Sequence, residues 1–272
     1  VSIVALKAVV DPLAFGGKAF HLGAALRVGL PVPAGFAVSV EALARLERGD
    51  PAVIAEVRAR FAELGAPVAV RSSAIGEDAE DASFAGQHLT CLNLMAADAV
   101  VDGLVRVYHS AHSEAALGYR KKKNLSTEIR VAALMQTLVD PICAGVVFTR
   151  NPVTGADERV IEAAWGLGET VVAGLVTPDY YRVARDGRVL EARVGDKDIA
   201  VRCAGSGGTH EAPVEPTLIA AHCLDSDWLM RVNELATRCE AHFGSELDLE
   251  WARVGDTLYL LQSRPISTGR AA

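Results

Sequence analysis

The chain has no Cys-x-x-Cys pair, no basic excess, no apolar run long enough to cross a membrane, and no internal repeat. Each absence removes a class of function. The five cysteines (Cys91, Cys143, Cys203, Cys223 and Cys239) are odd in number and singly placed. That argues against a zinc site or a disulfide framework and fits reduced thiols in a cytoplasm. Asp and Glu outnumber Lys and Arg by 34 to 27, a net charge of −7, which is the wrong sign for a general nucleic-acid binder. The most apolar long stretch, Val131 to Phe148, is broken by Gln136, Thr137, Asp140 and Pro141, so no membrane partner is expected. No charged lead, apolar run and small-residue cleavage site occur in series at the start, so no secretory leader is read. Lysine is scarce, 6 against 21 arginines, and half of it lies in Lys121–Lys123. That run reads as a solvated turn, which leaves Lys18 conspicuous.

What is present is ample for a core: 272 residues, half of them hydrophobic, with a mean hydropathy of +0.22. Such a chain can offset the entropy of ordering. A short apolar strand is expected within residues 1–10, a helix over 18–28 ended by Gly29, Pro31 and Pro33, and a strand over 35–39. Ser39 is a plausible N-cap for a helix over 40–48, and a second helix follows Pro51 to Leu64. Val68-Ala69-Val70 reads as a buried strand running into Arg71-Ser72-Ser73 and a loop to Gln87 that lacks either period. Further expectations are a helix over 96–118 and strands at 129–139, 142–149, 158–163, 180–184, 188–193 and 198–202. A helix over 224–243 and a hairpin over 247–264 complete the chain. Strands that recur without strict βαβ alternation predict an antiparallel-rich α+β fold.

Four groups could carry chemistry. Gly16-Gly17-Lys18 opens a helix, where glycines let a phosphate approach the backbone and helix N–H groups favour an anion. It is not a Walker A loop, because Pro12, Leu13 and Ala19 break that pattern. Arg71 leaves a buried strand and must meet an anion or a carboxylate. The loop after it, with Gly76, Ser83, Phe84, Ala85 and Gly86, suits a lid whose N–H groups close over phosphates. Gln136 sits near the end of an apolar strand, where free backbone groups can read an adenine edge. In the last hairpin, pairing parity decides the outcome. A two-residue loop puts Glu250 and Gln262 on opposite faces; a three-residue loop, Gly255-Asp256-Thr257, puts Glu250 opposite Gln262 and Asp248 opposite Arg264. The second case leaves Leu249, Trp251, Tyr259 and Leu261 for the core, and offers a carboxylate and an amide oxygen to Mg²⁺. Each group also has an ordinary reading: a capped turn, an ion pair, a satisfied core amide, a polar face in solvent.

Together these runs resemble the nucleotide-binding domain of the phosphoenolpyruvate synthase, pyruvate phosphate dikinase and rifampin phosphotransferase group. The matching stretches are Gly17-Lys18 with Leu22-Gly23, Pro31-Val32-Pro33-Ala34-Gly35-Phe36, VAVRSSAIGEDAEDASFAGQHLTCLN from 68, GVVFTRNPVTG from 145, WGLGETVVAGLVTPD from 165, and DLEWARVGDTLYLLQSRPI from 248. The resemblance implies an ATP-grasp fold of two lobes with ATP between them. It implies one domain over 1–272: an N-terminal lobe over 1–125 with a phosphate lid over 72–90, and a C-terminal lobe over 126–272 with the metal-binding hairpin over 247–264. By the same resemblance Lys18, Arg71 and Arg264 hold phosphates, and Gly86 and Thr90 belong to the lid. Gln136, Leu138 and Val139 meet the adenine and ribose, and Glu250 and Gln262 hold magnesium. It further implies a dikinase-type phosphotransferase that uses ATP and Mg²⁺ to phosphorylate a histidine on a swivelling domain, in cis or in trans, releasing AMP. The stretch from Ser39 to Val68 is shorter than the group's helical segment, and the swivelling and substrate domains are absent. Gly207-Gly208-Thr209-His210 approximates the acceptor motif with the wrong spacing, so His210 is not read as the acceptor. Rival readings are a stand-alone ATP-grasp kinase or ligase for a small molecule, and a nucleotide-sensing module without catalysis.

Overall fold

The computed structural model describes residues 2–75, 89–114, 118, 129–244 and 246–266. Gly86 and residues 76–88 of the expected lid, and Arg120 to Lys123, lie outside the described residues. The chain forms two units. Unit 1 comprises Val1–Ala24, Pro33–Leu138 and Ala204–Gly208; unit 2 comprises Ala25–Val32, Val139–Cys203 and Thr209–Ala272.

Unit 1 is built on a five-stranded antiparallel sheet, ordered β1 (Ile3–Ala5), β2 (Gly35–Val38), β5 (Val131–Thr137), β3 (Val68–Ala74), β4 (Thr90–Leu94). Helices α2 (Val40–Glu47), α3 (Pro51–Leu64) and α4 (Ala97–Ala111) supply the core with the side chains that alternate toward them. Val68 and Val70 of β3, Ala133 and Met135 of β5, and Phe36 and Val38 of β2 bury against Leu43, Leu46, Val53, Val57, Val100 and Leu104. Strand residues of the other parity, Arg71, Leu134 and Gln136, therefore lie on the opposite face. The Ser39 cap is the one expected, with Oγ accepting from Ala42 N at 3.2 Å; α3 has a cap the sequence reading did not name, Asp50 Oδ1 accepting from Ala52 N at 3.0 Å.

Helix α1 (Pro12–Arg27) starts earlier than its periodicity predicts and is broken at Gly16, whose φ is 77°. The short strand β4 carries no period of its own and was not readable in the sequence. The strand from Val68 continues through Ser72, Ser73 and Ala74, so the irregular segment begins later than expected.

Unit 2 carries a six-stranded antiparallel sheet: β13 (Thr257–Pro265), β12 (Leu247–Val254), β6 (Cys143–Phe148), β7 (Glu158–Trp165), β8 (Asp179–Ala184), β9 (Val189–Arg193). A two-stranded ladder joins β10 (Ile199–Cys203) to β11 (Thr209–Pro213). Short helices α5 (Glu169–Val172) and α6 (Pro216–Ile219) and the long α7 (Ser226–Phe243) complete it. Asp225 caps α7 by accepting from Trp228 N at 3.0 Å. Trp251 and Leu249 of β12, Val147 of β6 and Ile161 of β7 share one sheet face. Arg159, on that face, donates to Asn233 Oδ1 of α7 at 3.1 Å, so α7 covers it. The α+β class expected from the sequence is the class observed.

Candidate functional site

In unit 1 the Gly16-Gly17-Lys18 turn is stitched to the end of β3. The Lys18 ammonium donates to the Ser72 carbonyl at 3.0 Å, and Ala19 N donates to Ser73 Oγ at 3.0 Å. Ala19 N is one of the early helix amides that lack a partner within the helix, and Ser73 satisfies it from 54 residues away. Gly16 is required by contact as well as by φ: a Cβ there would lie 2.0 Å from the Ser73 carbonyl oxygen. Lys18 is 7% exposed. The turn thus sits beside the strand that carries Arg71. Arg71 pairs across β4 with Thr90 and across β5 with Leu134.

Gln136 lies on the same sheet face, opposite Ala69 and Gly35. A Cβ on Gly35 would fall 2.7 Å from Gln136 Cγ, so the glycine is what lets the amide lie across the neighbouring strand. The amide then donates to the Pro33 carbonyl at 3.2 Å and is 4% exposed. The backbone groups beyond it are less free than expected. Thr137 N donates to Ala34 O and Leu138 N to Pro67 O, each at 2.9 Å. Leu138 ends unit 1 and Val139 opens the next stretch of unit 2.

In unit 2 the β12–β13 hairpin resolves the parity question in a way neither loop length anticipates. Its tip is the two-residue turn Gly255-Asp256, with Val254 paired to Thr257, and pairing stays regular to Trp251↔Leu260. A bulge then inserts Leu261, so that Glu250 pairs with Gln262 and Asp248 with Arg264. The pairing expected from a three-residue loop is reached by a bulge on an edge strand instead. The core side of the distal hairpin is correspondingly Leu258 and Leu260, in place of the expected Tyr259 and Leu261.

Asp248, Glu250, Gln262 and Arg264 therefore share the face opposite α7. Arg264 places both Nε (2.9 Å) and Nη2 (2.7 Å) on Asp248 Oδ2. Asp248 Oδ1 is buried without a hydrogen-bond partner. Burial raises the Asp248 carboxyl, Arg264 counters it, and the Glu250 charge adds to the rise. Glu162 stands on the same face, two strands along through Val146. Burial first, and then the Asp248 charge, raise it too. Sequence reading passed over Glu162. Its signal is a single carboxylate inside the apolar run Val160-Ile161-Glu162-Ala163-Ala164.

Among the described residues no cluster of three or more His, Cys, Asp or Glu is arranged to hold a metal by itself. Glu250 and Gln262, side by side, are two hard oxygen donors. That set fits a magnesium ion that draws its other ligands from water and phosphate oxygens. Among the described residues no helix is long and apolar enough to cross a membrane.

Residues 47–272 match the family model described as pyruvate phosphate dikinase, AMP/ATP-binding domain. A probable phosphoenolpyruvate synthase of Methanothermobacter thermautotrophicus is 34% identical over 93% of this chain and 44% of its own length. A rifampicin phosphotransferase of Streptomyces sviceus is 33% identical over 93% of this chain and 34% of its own length. The chain thus spans less than half of either relative. Among solved structures, the ATP-grasp ligase PsnB aligns with a TM-score of 0.39 at 14% identity, covering 95% of this chain and 53% of that one.

Proposed function

Because the chain belongs to the pyruvate phosphate dikinase AMP/ATP-binding domain family, we propose that it is the ATP-grasp module of a dikinase-type phosphotransferase. It binds Mg·ATP and phosphorylates a histidine supplied by a separate domain or chain; of the two phosphates that leave ATP, one stays on the histidine, the other passes to water or inorganic phosphate, and AMP is the spent nucleotide. The reading places this work in the cytoplasm, which suits its five free cysteines.

The observation that carries the proposal is the hairpin register. An unbulged hairpin on a two-residue turn would put Gln262 on the far side of the sheet from Glu250. The inserted Leu261 restores them to one face with Asp248 and Arg264. A bulge that returns two oxygen donors and a guanidinium to one side of an edge strand supports that reading, because bulges are enriched where a strand re-aims a side chain beside an active site.

The proposed division of labour follows from chemistry. Lys18 is a point charge held near a helix N-terminus by the Ser72 carbonyl, and its ammonium N–H donors suit phosphate oxygens. Arg71 and Arg264 present planar forks, and Thr90 adds a hydroxyl opposite Arg71. Gln136, with its amide N–H committed to Pro33, leaves its carbonyl oxygen as the acceptor for an adenine amino group. Leu138 and Val139 line the base and ribose. Glu250 and Gln262 hold the metal. Magnesium, when bound, neutralises phosphate charge and fixes the oxygens around the transferring phosphorus. As the acceptor nitrogen attacks that phosphorus and the bridging P–O bond breaks, charge builds on the leaving oxygen. Cations fixed in advance stabilise such a charge without reorganising.

The test is nucleotide binding with and without Mg²⁺, followed by product analysis in the presence of the histidine-bearing partner. Magnesium-dependent ATP binding and release of AMP are expected; ADP as the sole product would point to a stand-alone kinase or ligase. Arg71→Ala and Glu250→Ala should each lower turnover by about 10²-fold or more while circular dichroism stays that of the parent. Unchanged turnover in both would overturn the site.

A further inference from the structure

Strand β4 is an edge strand whose register contains a second bulge. Val68 pairs with Leu94 and Val70 with Cys91, so three steps along β4 answer two along β3. The residue that absorbs the extra step is Asn93, the only non-glycine besides Glu246 with positive φ (56°) among the described residues. Asn is among the few side chains that tolerate this region. The consequence is parity. Leu94 and Cys91, three residues apart, both face the helical core, where a regular strand would send one of them away. Thr90 is thereby delivered opposite Arg71, on the other face. A one-residue slip would put Cys91 beside Arg71 and turn Thr90 into the core.

Asn93 is itself held in place. Its side-chain amide donates to the Ala204 and Gly208 carbonyls, each at 2.7 Å, and its own carbonyl accepts from Gly208 N at 3.0 Å. The residue is 3% exposed. The turn that receives it is shaped for the task. Gly207 has φ of 102°, and a Cβ there would press to 3.2 Å from the Asn93 carbonyl oxygen. One residue thus makes three hydrogen bonds to one turn.

We propose that Asn93 is a positioning residue for nucleotide binding: its left-handed conformation, locked by the Ala204–Gly208 turn, sets the β4 bulge that places Thr90 beside Arg71. The proposal rests on the reading of Arg71 and Thr90 as nucleotide-binding groups. Asn93 itself touches no phosphate; it acts through the strand.

Cys91 makes the test independent of nucleotide. It is 6% exposed, and loss of the bulge carries it to the half-buried place that Thr90 now occupies. Asn93→Val, which disfavours positive φ, is expected to gain one thiol reactive toward a water-soluble disulfide reagent and to weaken ATP binding about tenfold. Asn93→Gly, which keeps the conformation and loses the amide, should keep Cys91 masked and lose no more than about threefold. If Asn93→Val does not fold, Asn93→Ala reads the same two quantities. Masked Cys91 with unaltered affinity in the valine or alanine variant overturns the proposal. So does an unmasked thiol with parental ATP affinity, because Thr90 would then have no part in binding. An unmodified chain that binds no ATP sinks the nucleotide reading itself, and the thiol count still reports whether Asn93 sets the register.

Discussion

Lys18 and its neighbours show how far a single residue can be understood from its surroundings. The sequence marks Gly16-Gly17-Lys18 as a turn at a helix start, but not what the turn rests upon, because Ser72 and Ser73 lie 54 residues away. Adding one methyl at Gly16 meets both a positive φ and the Ser73 carbonyl. Gly16→Ala should therefore destabilise unit 1 by about 2 kcal/mol or more, measured by denaturant unfolding. Ser73→Ala removes the acceptor for a helix-terminal amide and should cost about 1 kcal/mol. In unit 2, Arg159 is 1% exposed and meets Glu240 at 2.7 Å, with Arg185 on the same carboxylate oxygen at 2.6 Å. Burial pushes the Glu240 carboxyl up, but the two arginines outweigh it and hold the group below its ordinary value of 4.5. A carboxyl lowered by folding stabilises fully above the ordinary range and loses that contribution as pH falls through the folded value. Glu240→Gln should thus cost about 3 kcal/mol near neutrality, with the gap from the parent closing below pH ~4 in unfolding titrations.

At the scale of elements, periodicity located most of the structure. The α2 and α3 helices, the Ser39 cap and eleven of the strands fall where apolar spacing and turn residues place them. Among the features that escaped are two bulges, both on edge strands. A bulge is one residue in the wrong parity, and parity is what a strand reading assumes. In β4 the extra residue is Asn93; in β13 it is Leu261. The β13 bulge makes a distinctive prediction, since register is restored on either side of it. Deleting Leu261 straightens the strand, keeps Glu250 opposite Gln262, and should leave magnesium-dependent ATP binding within about threefold of the parent. Deleting Ser263 instead slides Arg264 opposite Leu249, into the face that α7 covers, and should cost at least about 3 kcal/mol through a buried unpaired charge. Thermal unfolding of the two deletions, side by side, separates them. If the Leu261 deletion were the worse of the pair, the observed register could not be what matters.

Over the whole molecule, the general kind of protein was legible because its motifs lie in order along nearly all of the chain. The way the chain threads its two units was not. Residues 25–32 read as a helix end and a proline-rich connection, and nothing in their side chains announces where they belong. Ala25, Leu30 and Val32 are buried, but part of the segment's contribution is made by backbone carbonyls, to which a sequence pattern is blind. Pro31 O accepts from Leu260 N at 2.8 Å, and Gly29 O from Arg238 Nη2 at 2.9 Å. Both donors belong to unit 2, and Leu260 lies on its outermost strand. Anyone dissecting this protein by a single cut at Leu138/Val139 would consequently leave the C-terminal fragment with an open seam along β13, liable to recruit neighbouring fragments. Such a fragment should aggregate when expressed alone. It should turn monodisperse in light scattering once the missing octapeptide is spliced on or added in trans, as a garment closes only when the strip cut with the other half is sewn back.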